Sequence, residues 1–430
     1  MTTSAYPKFK VCAAHVAPVF LDAPATIDKA CTLIAEASRA GAKLIAFPES
    51  FVPGFPVWAA VQAPIKSHDF FKRLAANSIE VPGPEVAAIC DAARDNAIVV
   101  SIGISERSPV SVGCLWNTNL LIDGDGNLIN HHRKLVPTFY EKLVWANGDG
   151  EGLRVSNTNI GKIGMLICGE NTNPLARYSL IAQGEQVHIS SYPPVWPTRP
   201  ANEPGRYDLA SAIRIRAGAH SFEGKVFNVV SSGFLDKRTL EALRTIDRDG
   251  LETLENSPQA ISMVLGPSGE IISDTLSDAE GLLYQDVDIA QCVEPKQFHD
   301  VVGYYNRFDV FDLTVNRKRL APIAFVEGSP VAGADTSTTG LPSHNTDGAI
   351  PDERHRSCRA SARISRRSRR AMCARRLARS TARSWRSVRP AASTSTCSSS
   401  RTCRRLSISR RRAATNIMSR RNPARTRRTT

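Results

Sequence analysis

The sequence predicts an α/β protein made of two β-sheets packed face to face with helices outside, in two pseudo-equivalent halves. Three observations carry this. Short apolar runs alternate with amphipathic stretches of helical period. The runs are apolar at successive positions, as strands covered on both faces are. A hairpin pattern, "TNLLIDGDGNLINHHRK" (118–134), recurs downstream as "SMVLGPSGEIISDTL" (262–276).

Taken in order, "FKVCAAHVA" (9–17) is a buried strand, "PATIDKACTLIAEASRAGA" (24–42) a helix ending near Gly41, and "KLIAFPES" (43–50) a second strand. Strand, helix, strand is the βαβ unit. A helix at about 84–96 and the strand "AIVVSIGIS" (97–105) follow, then the first hairpin, turning at Asp123-Gly124-Asp125-Gly126. In the second half "KIGMLIC" (162–168) and "KVFNVVSSG" (225–233) are buried strands. Between them "SSYPPVWPTRPANEPGRYDL" (190–209) is rich in proline and lacks a period, so a long surface loop is expected, of the kind that shapes a pocket or an interface. No P-loop and no GxGxxG follows a strand, so a nucleotide cofactor is not indicated.

The chain has 430 residues and a formal net charge of +14, which taken alone suggests a nucleic-acid or acidic-membrane partner. The average misleads. Residues 351–430 hold 25 Arg, no Lys, and only Asp352 and Glu353 as acids, whereas residues 1–350 hold 30 basic and 39 acidic residues, a net −9. The body is mildly acidic, and its folded domain is expected within 1–330. Residues 331–430, dominated by Arg, Ser and Ala, cannot bury a core and are expected to be disordered. Three explanations compete: nucleic-acid binding through Arg, a solvated extension, and wrong-frame sequence, which is favoured because GC-rich codons read out of frame give that composition; nucleic acid would be touched only non-specifically.

Four of the ten cysteines (Cys358, Cys373, Cys397, Cys403) lie in the tail. No CxxC, HExxH or Cys/His cluster suggests a metal, and no cofactor is expected. The N-terminus lacks an apolar leader and no run of about 18 apolar residues occurs, so no membrane partner is expected and a reducing cytoplasm fits best.

In open α/β sheets chemistry gathers outside the carboxyl ends of strands. Cys168 sits at such an end, and Asn173-Pro174 then reads as an N-cap with proline in the first turn, which places a helix N-terminus near the thiol. That setting, with a cation, favours thiolate. Cys12, Cys31, Cys90, Cys114 and Cys292 read as structural thiols. "LIAFPES" delivers Glu49 just past a strand, where a carboxylate costs desolvation unless it has a partner or a task. "INHHRKLVP" ends the hairpin with Arg133 and Lys134, between which spacing does not choose; His131 and His132 read as ordinary strand or loop residues.

Three segments, "FPESFVPGFPVW", "HRKLVPTFYEKLVWANGDG" and "CGENTNPLARY", in this order and at these separations, resemble the nitrilase branch of the carbon-nitrogen hydrolase superfamily over about residues 8–320. The resemblance implies a four-layer αββα sandwich, with Glu49 as base, Lys134 as cation, Cys168 as nucleophile and Glu141 as a further active-site glutamate. Two departures bear on the pocket: Gly169 stands where Trp is frequent, and Phe139-Tyr140 replaces a common histidine. Gly169, Tyr140 and Trp196 are the expected substrate-binding positions.

What the resemblance implies is hydrolysis of a small-molecule nitrile to acid and ammonia through a thioimidate. An amidase or carbamoylase using the same residues on an amide is the nearest alternative, with a nitrile-hydrating enzyme that releases amide beside it. A Cys-His protease with His188 or His220 as base would leave Glu49 and Lys134 unexplained. The resemblance also implies a homo-oligomer, a dimer building to a spiral or filament. Because the tail has no apolar period, truncation near residue 350 should leave turnover per active site unchanged within about twofold, measured in dilute, well-dispersed protein.

Overall fold

Eleven strands among the described residues form two mixed sheets. The computed structural model describes residues 6–323, and the expectations placed on residues 331–430 lie outside them. The first sheet has the order β11-β1-β2-β3-β4-β5, from β1 (Lys8–His15), β2 (Ala42–Ala46), β3 (Val99–Arg107), β4 (Leu115–Ile122), β5 (Leu128–Arg133) and β11 (Gly281–Asp288). The second has the order β10-β9-β8-β7-β6, from β6 (Ser156–Thr158), β7 (Gly161–Ile167), β8 (Val187–Tyr192), β9 (Phe227–Ser232) and β10 (Met263–Leu265). In the first half β1, β2 and β3 run parallel and β4 turns back; in the second β7, β8 and β9 run parallel and β10 turns back. The halves are thus pseudo-equivalent, and the fold is the αββα sandwich.

Alternation along each strand explains why the runs are continuously apolar. Val11 and Ala13 of β1, with Leu44, Ala46 and Val99, face Ile163, Met165, Val187, Ile189, Phe227 and Val229 of the second sheet. Cys12 and Ala14, with Ile45, Val100 and Ile102, face outward onto Ile27, Ala30, Ile34, Ile89 and Ala93 of two covering helices. Those helices, Ala23–Arg39 and Pro84–Asn96, are placed by local chemistry. Asp22 accepts a hydrogen bond from the Ala25 amide at 3.0 Å and proline occupies the first turn, while the second helix stops where Ala97 turns left-handed at φ 46°. On the far side the Leu209–Gly224 helix buries Ile213 and Ala217 against Val230, Met263 and Leu265. A parallel bridge, Val16 to Gly233, ties the carboxyl ends of β1 and β9 together across the sandwich. No helix among the described residues is long and apolar enough to cross a membrane.

Two expectations need correction. Ser190, Ser191 and Tyr192 are not loop but the end of buried β8, and Pro193 to Pro197 are buried behind it; only the following residues reach the surface before the helix at Leu209. The prolines after Tyr192 end the strand and masked its period. The second hairpin is also reduced: only Met263–Leu265 is strand, its return arm held by isolated bridges from Ser262 to Leu276 and Leu265 to Ile271.

A buried carboxylate fixes the hairpin end of the first sheet. Glu106 on β3 accepts hydrogen bonds from Arg133 Nε and Nη2 (3.0 and 2.5 Å) and from the Thr118 hydroxyl (2.6 Å), and lies 2.8 Å from His131 Nε2. Burial alone would push Glu106 up, but His131 and Arg133 outweigh it and hold it at about 2. Since this lies below the ordinary 4.5, the stability that the ionised group contributes is present above pH 4.5 and is lost as pH falls toward 2. Glu106→Gln should cost about 2–3 kcal/mol at pH 7. The gap to the parent should shrink at pH 3, and urea unfolding at both pH values measures it.

Candidate active site

Three chain segments converge on one ammonium group. β5 alternates, so Arg133 turns to Glu106 and lies 3.7 Å over the Trp116 ring, while the next residue, Lys134, turns into the protein. Lys134 is fully buried, and its Nζ donates to Glu49 Oε1 (2.7 Å) and to both oxygens of Glu141 (2.7 and 2.8 Å). Of the two candidate cations, only Lys134 is brought to the carboxylates. Glu49 Oε1 also accepts from Asn117 Nδ2 on β4 at 2.7 Å, whereas its Oε2 is buried without a partner. Glu141 Oε2 accepts from the Thr138 amide at 2.9 Å, which anchors the turn that carries it.

Cys168 is the first residue after β7. Its sulfur and carboxylate oxygens of Glu49 and Glu141 all lie within 4.8 Å of one another. The backbone there is left-handed, φ 48°, a conformation that costs about 1–2 kcal/mol for an L-residue. Two side chains of the same turn hold it. Glu170 accepts from the amides of Ile167 (2.9 Å) and Leu135 (2.5 Å) and lies 2.9 Å from His132 Nε2, while Asn171 Nδ2 donates to the carbonyls of Leu166 (3.2 Å) and Cys168 (3.1 Å). Asn173 then caps the Pro174–Ile181 helix, accepting from Leu175 and Ala176 amides, as the sequence indicates. At Gly169 a Cβ would lie 2.8 Å from the Thr138 hydroxyl, so the larger residue frequent at this position would displace Thr138.

The charges follow from burial. Burial would strip Lys134 of its proton, but Glu141 and Glu49 more than compensate and the ammonium persists. Burial raises Glu141 to about 7 against the pull of Lys134. Burial also pushes the Cys168 thiol well above its ordinary range, and Glu49 pushes it further, with Lys134 and Arg216 opposing. The expected thiolate-favouring setting is therefore corrected: desolvation and two acids outweigh the cation and the helix end, and the resting sulfur carries its proton. Cys12, Cys31 and Cys292 are likewise pushed up, to about 12, 11 and 11, by burial in apolar surroundings.

An aromatic wall closes the site. Tyr140 stacks on Trp196 with centroids 4.4 Å apart, and Phe55 packs edge-on to Trp145, all in one apolar cluster with Cys168 and Tyr192. The hydroxyls of Tyr140 and Tyr192 are buried without partners. Gly169 follows Cys168 in the chain, and Tyr140 and Trp196 share its apolar cluster.

The sequence pattern of carbon-nitrogen hydrolases matches residues 10–297. A nitrilase of Paraburkholderia phymatum is 34% identical over 331 residues, covering 76% of this chain and 93% of that protein. An aliphatic nitrilase of Rhodococcus rhodochrous is 35% identical over 318 residues, covering 73% and 84%. This chain belongs to the carbon-nitrogen hydrolase family. Its fold also matches that of Saccharomyces cerevisiae Nit3, a nitrilase-superfamily member, at a TM-score of 0.53 and 18% identity, over 71% of this chain and 97% of that one. As a carbon-nitrogen hydrolase it acts on carbon-nitrogen bonds other than peptide bonds, as a nitrilase or a related enzyme.

The rival histidines lie elsewhere. His188 and His220 are fully buried and share the Glu185 carboxylate, and among the described residues neither hydrogen-bonds to Cys168. Glu185, His188 and His220 have potential ligand atoms within 4.8 Å of one another, as do Glu49, Glu141 and Cys168. Neither set suits a metal as it stands, because the Glu185 oxygens are already paired with imidazoles and the Lys134 ammonium fills the place of a cation between Glu49 and Glu141. Sequence reasoning missed Asn117, Glu170, Asn171 and Tyr192. The polar residues of "WNTNLLI" within a buried strand were the available signal for Asn117.

Glu141 gives a pH test. Its folded value of about 7 exceeds the ordinary 4.5, so its contribution to stability is full below pH 4.5 and is lost as pH rises through 7. Relative to Glu141→Gln, the parent should lose about 3 kcal/mol of unfolding free energy between pH 4.5 and 8, read by urea titration.

Proposed function

We propose that this carbon-nitrogen hydrolase is a nitrilase, converting an organic nitrile and two waters into a carboxylic acid and ammonia. The observation that supports this best is the buried Lys134 held between Glu49 and Glu141, with the Cys168 sulfur within 4.8 Å of carboxylate oxygens of both. In this reading the unpartnered Glu49 oxygen takes the thiol proton as sulfur adds to the nitrile carbon, and that proton passes to the nitrile nitrogen, giving a thioimidate. Keeping the thiol protonated until substrate arrives fits its raised pKa. Lys134 and the Gly169 amide stabilise charge on the substrate heteroatom. Water then adds to the thioimidate carbon, the protonated nitrogen leaves as ammonia, and a second water releases the acid from the thioester and restores the thiol.

Which group leaves the tetrahedral intermediate depends on where positive charge is held. Carboxylates on both sides of Lys134 favour a protonated nitrogen, hence acid over amide. The buried, unpartnered hydroxyls of Tyr140 and Tyr192 offer hydrogen bonds to substrate, and Trp196 offers an apolar face. No cofactor enters the scheme. Cys12, Cys31, Cys114, Cys168 and Cys292 form no disulfide, which supports a reducing cytoplasm. Exposed Leu175 on the Pro174–Ile181 helix, with Ile215 and Phe222 on the Leu209–Gly224 helix, supports a homo-oligomer.

Cys168→Ala should abolish ammonia release from a nitrile panel, and Glu49→Gln and Lys134→Ala should each fall to near background, since groups acting as a unit lose activity non-additively. Chromatography should show acid as the main product. Dominant amide would replace this reading with a nitrile-hydrating enzyme, and turnover of amides but not nitriles with an amidase.

A further inference from the structure

A second polar cluster lies directly behind the thiol turn. Glu185 is fully buried and lies 2.7 Å from His188 Nδ1 through one oxygen and 2.7 Å from His220 Nε2 through the other, while the two imidazoles stack with centroids 3.7 Å apart. Space for this carboxylate is made on β7, where a Cβ at Gly164 would stand 2.0 Å from Glu185 Oε1. His188 continues the chain, its Nε2 lying 2.9 Å from Asn171 Oδ1, which also accepts from the Ser190 hydroxyl at 3.1 Å. The orientation of the Asn171 amide is fixed, because its Nδ2 donates to the carbonyls of Leu166 and Cys168. Asn171 Oδ1 is therefore an acceptor, and both nitrogens of His188 face acceptors. The ring bridges Glu185 and Asn171.

The cluster is an expensive way to fill a core. A buried ion pair roughly repays its own desolvation, so apolar residues of similar volume would stabilise the fold as well. What apolar residues cannot do is orient an amide. Cys168 sits in a left-handed backbone that persists only where the surroundings over-determine it. The group that clamps the carbonyls on both sides of that strain is Asn171.

We infer that Glu185 and His188 form a positioning relay that orients Asn171 and, through it, sets the Cys168 turn so that the sulfur points at the substrate carbon. The inference rests on the reading of Cys168 as nucleophile. His188 is a positioning residue, with no proton passing between it and the thiol.

Two isosteres divide its contacts. The amide of His188→Gln places a donor where Nε2 stood and keeps the bond to Asn171, whereas His188→Asn places one where Nδ1 stood and keeps only the bond to Glu185. Both are compared for kcat and KM on a good nitrile and for the rate at which iodoacetamide alkylates Cys168, with circular dichroism reporting the fold. Misplacement of a reacting atom by about 1 Å costs on the order of 10²-fold in rate, so His188→Asn should lose kcat to about that extent with KM changed less than about twofold. Alkylation should change with kcat, and His188→Gln should recover about tenfold of the loss, the equivalent of one hydrogen bond. Equal kcat in the two variants, loss confined to KM, or unchanged alkylation would overturn the relay. If the His188 variants do not fold, Ser190→Ala removes the other donor to Asn171: kcat about fivefold lower with unchanged melting supports the relay, and unchanged kcat overturns it. Cys168→Ala separates the two readings. Retained turnover there refutes the nucleophile itself, whereas an inactive Cys168→Ala beside a fully active His188→Asn refutes only the relay.

Discussion

An ammonium group with no access to water must be paid for by the charges around it, and Lys134 is the point on which the rest of this structure turns. Its Nζ makes 2.7–2.8 Å contacts to Glu49 and Glu141, so each of the three buried charges would be untenable without the others. Everything that delivers these residues is arranged to meet that constraint. β2 ends short of Pro48, the β4–β5 hairpin carries Lys134 to the same edge, and a turn anchored by Thr138 returns Glu141 to it. Asn117 fixes the Glu49 oxygen that Lys134 uses, which leaves the other without a partner.

The constraint is also visible in the backbone. Among the described residues six non-glycines have positive φ, and three of them are Ser50, Phe139 and Cys168, each inside or adjacent to one of the converging segments. At Cys168 a side chain of the turn itself ties the conformation to its surroundings: Glu170 accepts from the Ile167 and Leu135 amides and lies beside His132. Strain of this kind collects where geometry matters more than stability. The remaining three, Leu21, Ala97 and Lys225, lie beside ordinary helix ends.

Much of this was legible in the sequence, for a physical reason. Continuous apolar strands, Asn173-Pro174 and the strand-end acid at Glu49 are local signals, each decided within a few residues. The choice between Arg133 and Lys134 was not local. It depends on Glu106, 27 residues back along the chain, which draws Arg133 to the opposite face. Tyr192 was hidden because Pro193 and Pro194 end a buried strand with residues typical of loops. The protonation of Cys168 was misjudged because a motif reveals the cation and the helix end, whereas burial and the opposing carboxylates appear only in three dimensions.

The duplicated fold explains why such a site is available at all. The first sheet contributes Glu49 and Lys134, and the second contributes Cys168, so the charged group and the sulfur belong to different halves. Because three strands of each half run parallel, and the Val16 to Gly233 bridge aligns their carboxyl ends, strand-end residues from both sheets come together at one edge of the sandwich. Single sheets place such residues in a row; two facing sheets place them around a point. In the proposed mechanism that difference lets Glu49 take a proton from a sulfur supplied by the opposite sheet, while Lys134 stays locked to the first. In that mechanism the thiol, which burial and Glu49 push above its ordinary range and which shares an apolar cluster with Tyr140 and Trp196, gains reactivity as a substrate comes to lie between the halves.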